Sequence, residues 1–445
     1  MTSRTTLAAA AAAVASQAQA QAIKLGVVNI ETGPLAPSAG AINEGATLAV
    51  ELLNAKGGAL GRKYELVIQN HDGPPAGAIA AATKLVQQQG VSFFTSLSPS
   101  GNSLALSAKL ADLNALYLDA TAASDDLTGK ACAQNYFRIG ISDSSNVQVW
   151  RELAQRQGVK SFDLMMADIA AARDASKRFA ALLPSFGGSV QKELYVPLAA
   201  TDHGGNIAQL VAKPADALAM YLPGSAGIGF AKQQAAFGLF AKYKLVVSAS
   251  MVNEILIGGQ GDTTEGVWSA QSYFWQMPGA MNAEFVKAFE AKYTRKPSYL
   301  AADAYLAFTL LHEAIVKAKS TDVAAVRGAL AGLKADTIVG PVEMRAADHQ
   351  LVRPMAVVQA VTVARFGPLA PVMMDTLPEI MLMIVEGTKK GEILRGPPSA
   401  RICAVFSMVV MPPIPAPTDT PMRSALASVT SRPASFIASI DAATP

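Results

Sequence analysis

The chain has 445 residues, a formal net charge of +3, and a composition that is 51% hydrophobic and 16% charged. That balance excludes a basic nucleic-acid footprint, and the length allows two domains of ordinary size. Its two cysteines, Cys132 and Cys403, are too few for a disulfide framework, and their separation leaves a bridge between them open.

The first residues, MTSRTTLAAAAAAVASQAQAQA, hold one positive residue, Arg4, and a short apolar core from Leu7 to Ala15. Small residues then alternate from Ala18 to Ala22, as an A-x-A cleavage site requires, so residues 1–22 read as a signal peptide. An alanine-rich N-terminal helix is the alternative. No later segment is an uninterrupted apolar run of roughly 20 residues, so no membrane span is predicted in the mature chain.

Next, Lys24 to Ile30 predicts a buried strand. The stretch Glu44 to Asp72 predicts a helix over Ile42 to Ala55, a stop at Gly57-Gly58, and a strand over Lys63 to Asn70, where Tyr64, Leu66 and Ile68 alternate with Glu65, Val67 and Gln69. Strand, helix, strand is one right-handed crossover unit of a parallel sheet. The pattern repeats with helix 77–89 and strand 91–95, helix 103–114 and strand 116–119, and a short strand at 136–139. A second α/β set begins near Asp143: helices 146–157, 171–183, 206–211 and 229–240 alternate with strands 161–166, 189–196, 217–221 and 245–248. A strand over 266–273, three helices at 282–293, 300–318 and 322–333, and strands at 342–345 and 355–361 complete it. The fold class is therefore α/β, with two parallel-sheet lobes sharing several crossing segments. After Phe366 prolines crowd, with Pro412, Pro413, Pro415, Pro417 and Pro421 excluding regular structure. A tail over 366–445 is expected to be largely unpacked, apart from a helix around Leu377 to Glu386.

Several segments together, EGATLAVELLNAKGGALGRKYELV (44 to 67), AATKLVQQQGV (81 to 91), NYFRIG (135 to 140), DALAMYLPG (216 to 224), FAKQQAAFGL (230 to 239), FVKAFEAKYTRKPSYLAADAY (285 to 305) and GPVEMRAADHQ (340 to 350), carry a resemblance. The chain resembles the extracytoplasmic solute-binding proteins of ABC transporters for branched-chain amino acids and related ligands, the leucine/isoleucine/valine-binding family with a type I periplasmic-binding fold. The likeness covers roughly 23 to 361. It implies lobe 1 over 23–141 and 273–344, lobe 2 over 142–272 and 345–365, a three-segment hinge, and a ligand in the cleft. It also implies a small-molecule ligand, ABC permease subunits as membrane partners, a monomer in the periplasm, and no cofactor or metal. Strand C-termini in open α/β sheets line such a crevice, and helix N-termini there present free N–H groups to an anion.

Site residues follow from the same resemblance. Ser100, with Ser98 beside it, stands where the family holds the ligand carboxylate; a plain N-cap is the alternative role. Ala123 falls at the family's threonine position, with Thr121 and Ser124 adjacent. Ile169, in ADIAAARD, replaces the family's aromatic lid. Ser250 stands where amino-acid-binding members carry a carboxylate for the ligand's ammonium, with Glu254 one turn away. Burying an unpaired ammonium is costly, so a carboxylate that is not a simple α-amino acid is expected. Tyr273 and Trp275 offer aromatic faces near a crossing, with hydrophobic core as the alternative for Phe274 between them, and Tyr221 and Tyr299 are further candidates.

Catalytic readings are poor. His71, His203, His312 and His349 are scattered without metal-ligand spacing. There is no G-x-S-x-G, and Gly224 to Gly229 fits neither phosphate-loop motif and reads as a strand-to-helix loop. A binding protein, not an enzyme, is expected, with a sensory ligand-binding module of the same fold as the alternative.

Overall fold

Two parallel sheets grow from the crossover pattern. The computed structural model of the chain describes residues 21–360 and the pair 381–382. The signal-peptide reading, Cys403 and almost all of the tail lie outside the described residues.

The first sheet holds β1 (Ile23–Asn29), β2 (Tyr64–Asn70), β3 (Phe93–Ser96), β4 (Leu116–Asp119) and β5 (Tyr136–Arg138), in the order β2-β1-β3-β4-β5 with every pair parallel. β1 lies between two neighbours and is buried along nearly its whole length, whereas edge strand β2 keeps the alternating pattern that made it legible. The second sheet runs β15-β14-β10-β9-β8-β6-β7, comprising β6 (Ser161–Ala167), β7 (Ser189–Val196), β8 (Ala217–Tyr221), β9 (Leu245–Ala249), β10 (Trp268–Gln271), β14 (Ala356–Gln359) and β15 (Met381–Leu382). β14 and β15 join it antiparallel. A small antiparallel sheet of β11 (Lys334–Thr337), β12 (Gly340–Met344) and β13 (Leu351–Val352) lies between β10 and β14 in sequence.

Helix boundaries depart from the sequence pattern in instructive ways. The first helix, α1 (Ala36–Ala55), starts at Ala36 rather than Ile42, because Pro37 fits a first helical turn and the small residues that follow carry no apolar period. The helix predicted over 103–114 is two pieces, α3 (Ser100–Ser107) and a turn at Leu110–Leu113 closed by Asn114 in the left-handed region. The helix predicted over 229–240 is α8 (Gly224–Ala235): Pro223 caps it, and the glycines read as a loop are its first turns. Around Leu377 to Glu386, the described pair Met381–Leu382 is extended, paired with Val358 and Gln359, and not helical. The strand Lys334–Thr337 is an addition that periodicity did not reveal.

Helix α11 (Tyr299–Ala318) is apolar and long enough to cross a membrane by composition, yet it is largely buried in the first core against α1. The two helices touch at Gly45, where an added Cβ would stand 1.9 Å from the Ala301 carbonyl oxygen. Ion pairs Lys292–Glu51 and Arg295–Glu44 tie the helix Ala280–Tyr293 and the turn after it to α1.

Three segments pass between the two sheet systems, and one buried guanidinium meets all three. Arg353, on the third, donates from Nη1 to the Ile139 carbonyl of the first (3.0 Å) and from Nη2 to the Ser272 carbonyl of the second (2.7 Å). Its counter-ion is Asp303 of α11, 2.5 Å from Nη1, which also accepts from the Ser272 hydroxyl at 2.5 Å.

Candidate functional site

A cavity of about 80 Å³ opens where the strand ends of both sheets face each other. Five helices turn their N-terminal ends to it: α1 at Leu35, α3 at Pro99-Ser100, the helix Ala170–Leu182 at Ile169 and Ala171, α8 at Pro223-Gly224, and α11 at Tyr299-Leu300. Four of these helices have N-caps without a side-chain acceptor, Leu35, Pro99, Ile169 and Pro223. In three of them the first amides are therefore left for another acceptor, whereas in α1 the Ala36 amide donates to the Gly33 carbonyl and Pro37 has no N–H. Each helix end also carries roughly half a positive charge. Among the described residues, no acidic or basic side chain lines the cavity. The geometry is that of a small anion-accepting pocket with partly apolar walls.

The side chains deploy unequally. Ser98 and Ser100 line the cavity and are buried. The Ser98 hydroxyl has no hydrogen-bond partner, while Ser100 Oγ accepts from the Ser124 amide (3.1 Å) and keeps its own proton to donate. Thr121 also lines the cavity, but its hydroxyl is engaged with the Ser98 amide (3.0 Å) and carbonyl (3.2 Å), so it staples the two loops. Asp119 fixes that loop from beneath, accepting from the amides of Thr121 and Ala122. Ala123 reaches the cavity; its carbonyl binds the Asp143 amide and Arg138.

From the second sheet come Ile169, Tyr221 and Ser250. Ser250 has φ 59°, a strained conformation for a residue with a side chain, and its hydroxyl faces that of Tyr221. Tyr221 is buried beside Asp143, and both burial and that carboxyl push its phenol far up. Asp143 is fully buried with neither oxygen hydrogen-bonded, and burial, reinforced by Asp125, holds its pKa well above the usual carboxylate range.

Ser124, Tyr273 and Trp275 stand elsewhere. Ser124 is buried behind the wall and bonds Asp174 Oδ2 at 2.5 Å, linking the loop after β4 to the helix Ala170–Leu182. Tyr273 is in the first core, its hydroxyl on Asn282 Oδ1 (2.8 Å). Trp275 packs on that core under the Lys296 ammonium, 4.6 Å from its ring. Sequence reading passed over Leu35, Asn253 and Gly224 as wall residues. The signal was present in Pro99-Ser100 and Pro223-Gly224, where proline directly before a helix marks its start after a strand.

The family model of periplasmic binding proteins matches residues 22–364. A Leu/Ile/Val-binding protein homolog 3 of Brucella melitensis is 32% identical over 127 residues, 28% of this chain and 34% of that protein. Thus the chain matches about a third of the length of that relative. A homolog 7 of Brucella abortus is 26% identical over 333 residues, covering 70% of this chain and 81% of its own. Among solved structures, a solute binding protein of an ABC transporter from Rhodopseudomonas palustris, in complex with 3,4-dihydroxybenzoic acid, superimposes with TM-score 0.70 at 22% identity, over 76% of this chain and 93% of that one. A branched-chain amino acid transporter substrate binding protein from Streptococcus pneumoniae, in complex with isoleucine, gives 0.69 at 23%, over 76% and 96%. The shared fold is the type I periplasmic-binding architecture.

Proposed function

The chain belongs to the periplasmic binding protein family, and on that premise we propose that it is the extracytoplasmic solute-binding component of an ABC uptake system. It captures a small carboxylate-bearing ligand (an amino acid, an amide or an aromatic acid) between two lobes and delivers it to separate membrane permease subunits, acting as a monomer in the periplasm. The lobes proposed are 23–141 with 273–344, and 142–272 with 345–365.

One observation carries the reading: five helix N-termini from both sheets converge on one cavity whose wall has no charged side chain. Uncapped amides and aligned dipoles favour an anion there, and the Ser98 and Ser100 hydroxyls add donors. Contact with both lobes lets ligand stabilise the closed arrangement, the form a permease would read. The two solved relatives hold an aromatic acid and isoleucine, both carboxylates. The absence of a carboxylate from the wall favours a ligand without an ammonium group. The sensory alternative draws no support from the relatives named above.

A thermal-shift screen of the purified chain with benzoate, isoleucine, acetamide and urea tests this. A carboxylate should raise the melting temperature, benzoate more than isoleucine; no shift with any carboxylate would refute the reading.

A further inference from the structure

The loop after β9 steps from one half of the molecule to the other. Val252 is buried in the cluster around the second sheet, while Ile255, three residues on, packs against the core of the first. Glu254 lies between them. Both of its carboxyl oxygens are shut off from solvent without a hydrogen-bond partner. Its nearest donors, the amides of Glu254 itself and of Tyr299, face it without reaching hydrogen-bond geometry. From α11 it is faced by Tyr299 and Asp303, and from the second crossing by Tyr273. Both Nη atoms of Arg353 are committed to Asp303 and two carbonyls, and its Nε, though unpaired, is not among the groups that act on Glu254. Asn253 on one side and Tyr299 on the other both line the cavity, so the carboxyl occupies the seam that ligand entry must part.

We propose that drawing the two halves together around a ligand delivers one proton to Glu254, so that ligand capture is coupled to proton uptake. This rests on the reading that the cavity is the ligand site. The physical reason is desolvation. In the closed seam a carboxylate would have neither water nor a cation, so the neutral acid is favoured. Burial, the largest cause, lifts Glu254 from the ordinary 4.5 to about 8. When the seam parts and water returns, the ordinary value returns. The sign follows. The closed form binds the proton more tightly, so it is fully favoured below the open-form pKa and loses that advantage as pH rises towards about 8. Between those limits affinity should fall by up to about tenfold per pH unit.

The test compares the full chain with E254Q, which keeps the side chain's shape and removes its titration, and with D143N, a control for the other buried carboxyl beside the cavity. Calorimetry near neutral pH in phosphate and in Tris, with benzoate as probe or isoleucine if benzoate gives no melting shift, counts protons from the difference in heats. The wild type and D143N should take up close to one proton per bound probe and E254Q close to none, and the affinity of E254Q should be nearly flat with pH. An undiminished uptake and slope in E254Q, or their loss only in D143N, would overturn the proposal. If neither probe shifts melting, the carboxylate reading has failed by itself. The coupling is then read without ligand, by energy transfer between dyes on K56C and F237C in a C132S/C403S background. The separation should grow with pH in the wild type and not in E254Q; the same pH response in both, or none in either, overturns the proposal.

Discussion

The hinge and the cleft use polar groups in opposite ways. At the crossings, the two Nη atoms of Arg353 reach Asp303, Ile139 and Ser272 at 2.5 to 3.0 Å, and the Ser272 hydroxyl closes the network. At the cleft, the Ser98 hydroxyl and the three uncapped helix starts at Pro99, Ile169 and Pro223 have no side-chain partner, and Asp143 and Glu254 stand unpartnered just behind. Buried polar groups are normally paired, because leaving one unpaired costs about 1–3 kcal/mol. The hinge follows that rule at both Nη atoms of Arg353, although its Nε has no partner. The cleft suspends it, as a site prepared for an outside partner does.

Breaking the hinge should give the largest effect. Arg353→Met leaves Asp303 buried and unpaired and should cost about 3–5 kcal/mol of stability, read by urea unfolding; a loss under about 1 kcal/mol would show that the network is dispensable. Closing the cleft sterically comes next. Gly224 has φ +64°, and a Cβ there would stand 2.2 Å from the Pro34 carbonyl oxygen across the cleft. Gly224→Ala should weaken a bound carboxylate by about tenfold or more, because the Pro34 clash opposes closure, while the left-handed φ costs roughly 1–2 kcal/mol of stability; unchanged calorimetric affinity would place that contact outside closure. Ser100→Ala removes one donor to an anion and should cost about 1.5 kcal/mol of binding, roughly tenfold; it also takes the acceptor from the buried Ser124 amide and should cost about 1–3 kcal/mol of stability. Asp143→Asn sharpens the contrast through pH. A carboxyl raised by burial favours folding below the ordinary carboxylate range and loses that contribution as pH rises. The variant should therefore gain melting temperature relative to wild type at pH 8 and little at pH 4. The smallest effect is expected at Trp275→Phe, since that ring packs on the first core and not on the cavity; a tenfold loss of binding would reverse the assignment.

Much of the architecture was legible because strands and helices alternate in hydrophobic period from Lys24 onward. The helix starts were not, and they matter most here. Pro99, Pro223 and Ile169 carry no side-chain cap, so the usual Ser/Asp marker is missing where the helix must keep its amides free. Ser98, Ser100, Ile169, Tyr221 and Ser250 lie at strand ends or helix starts, and the sequence places them near the cavity that they line. Ser124 and Tyr273 look equally suitable in one dimension. Only the fold shows Ser124 turned to Asp174 and Tyr273 to Asn282. The Arg353 network was invisible because its partners lie 50 to 214 residues away.

That network has a mechanical consequence. Three crossing segments that could each flex separately share one guanidinium, so they are pinned at a common pivot. Relative motion about such a pivot is a rotation, small beside Asp303 and large at the far rim, where Gly224 meets Pro34. The floor of the cleft would stay nearly still while its mouth swings. Ligand exchange would then follow one concerted coordinate, with a single relaxation rate.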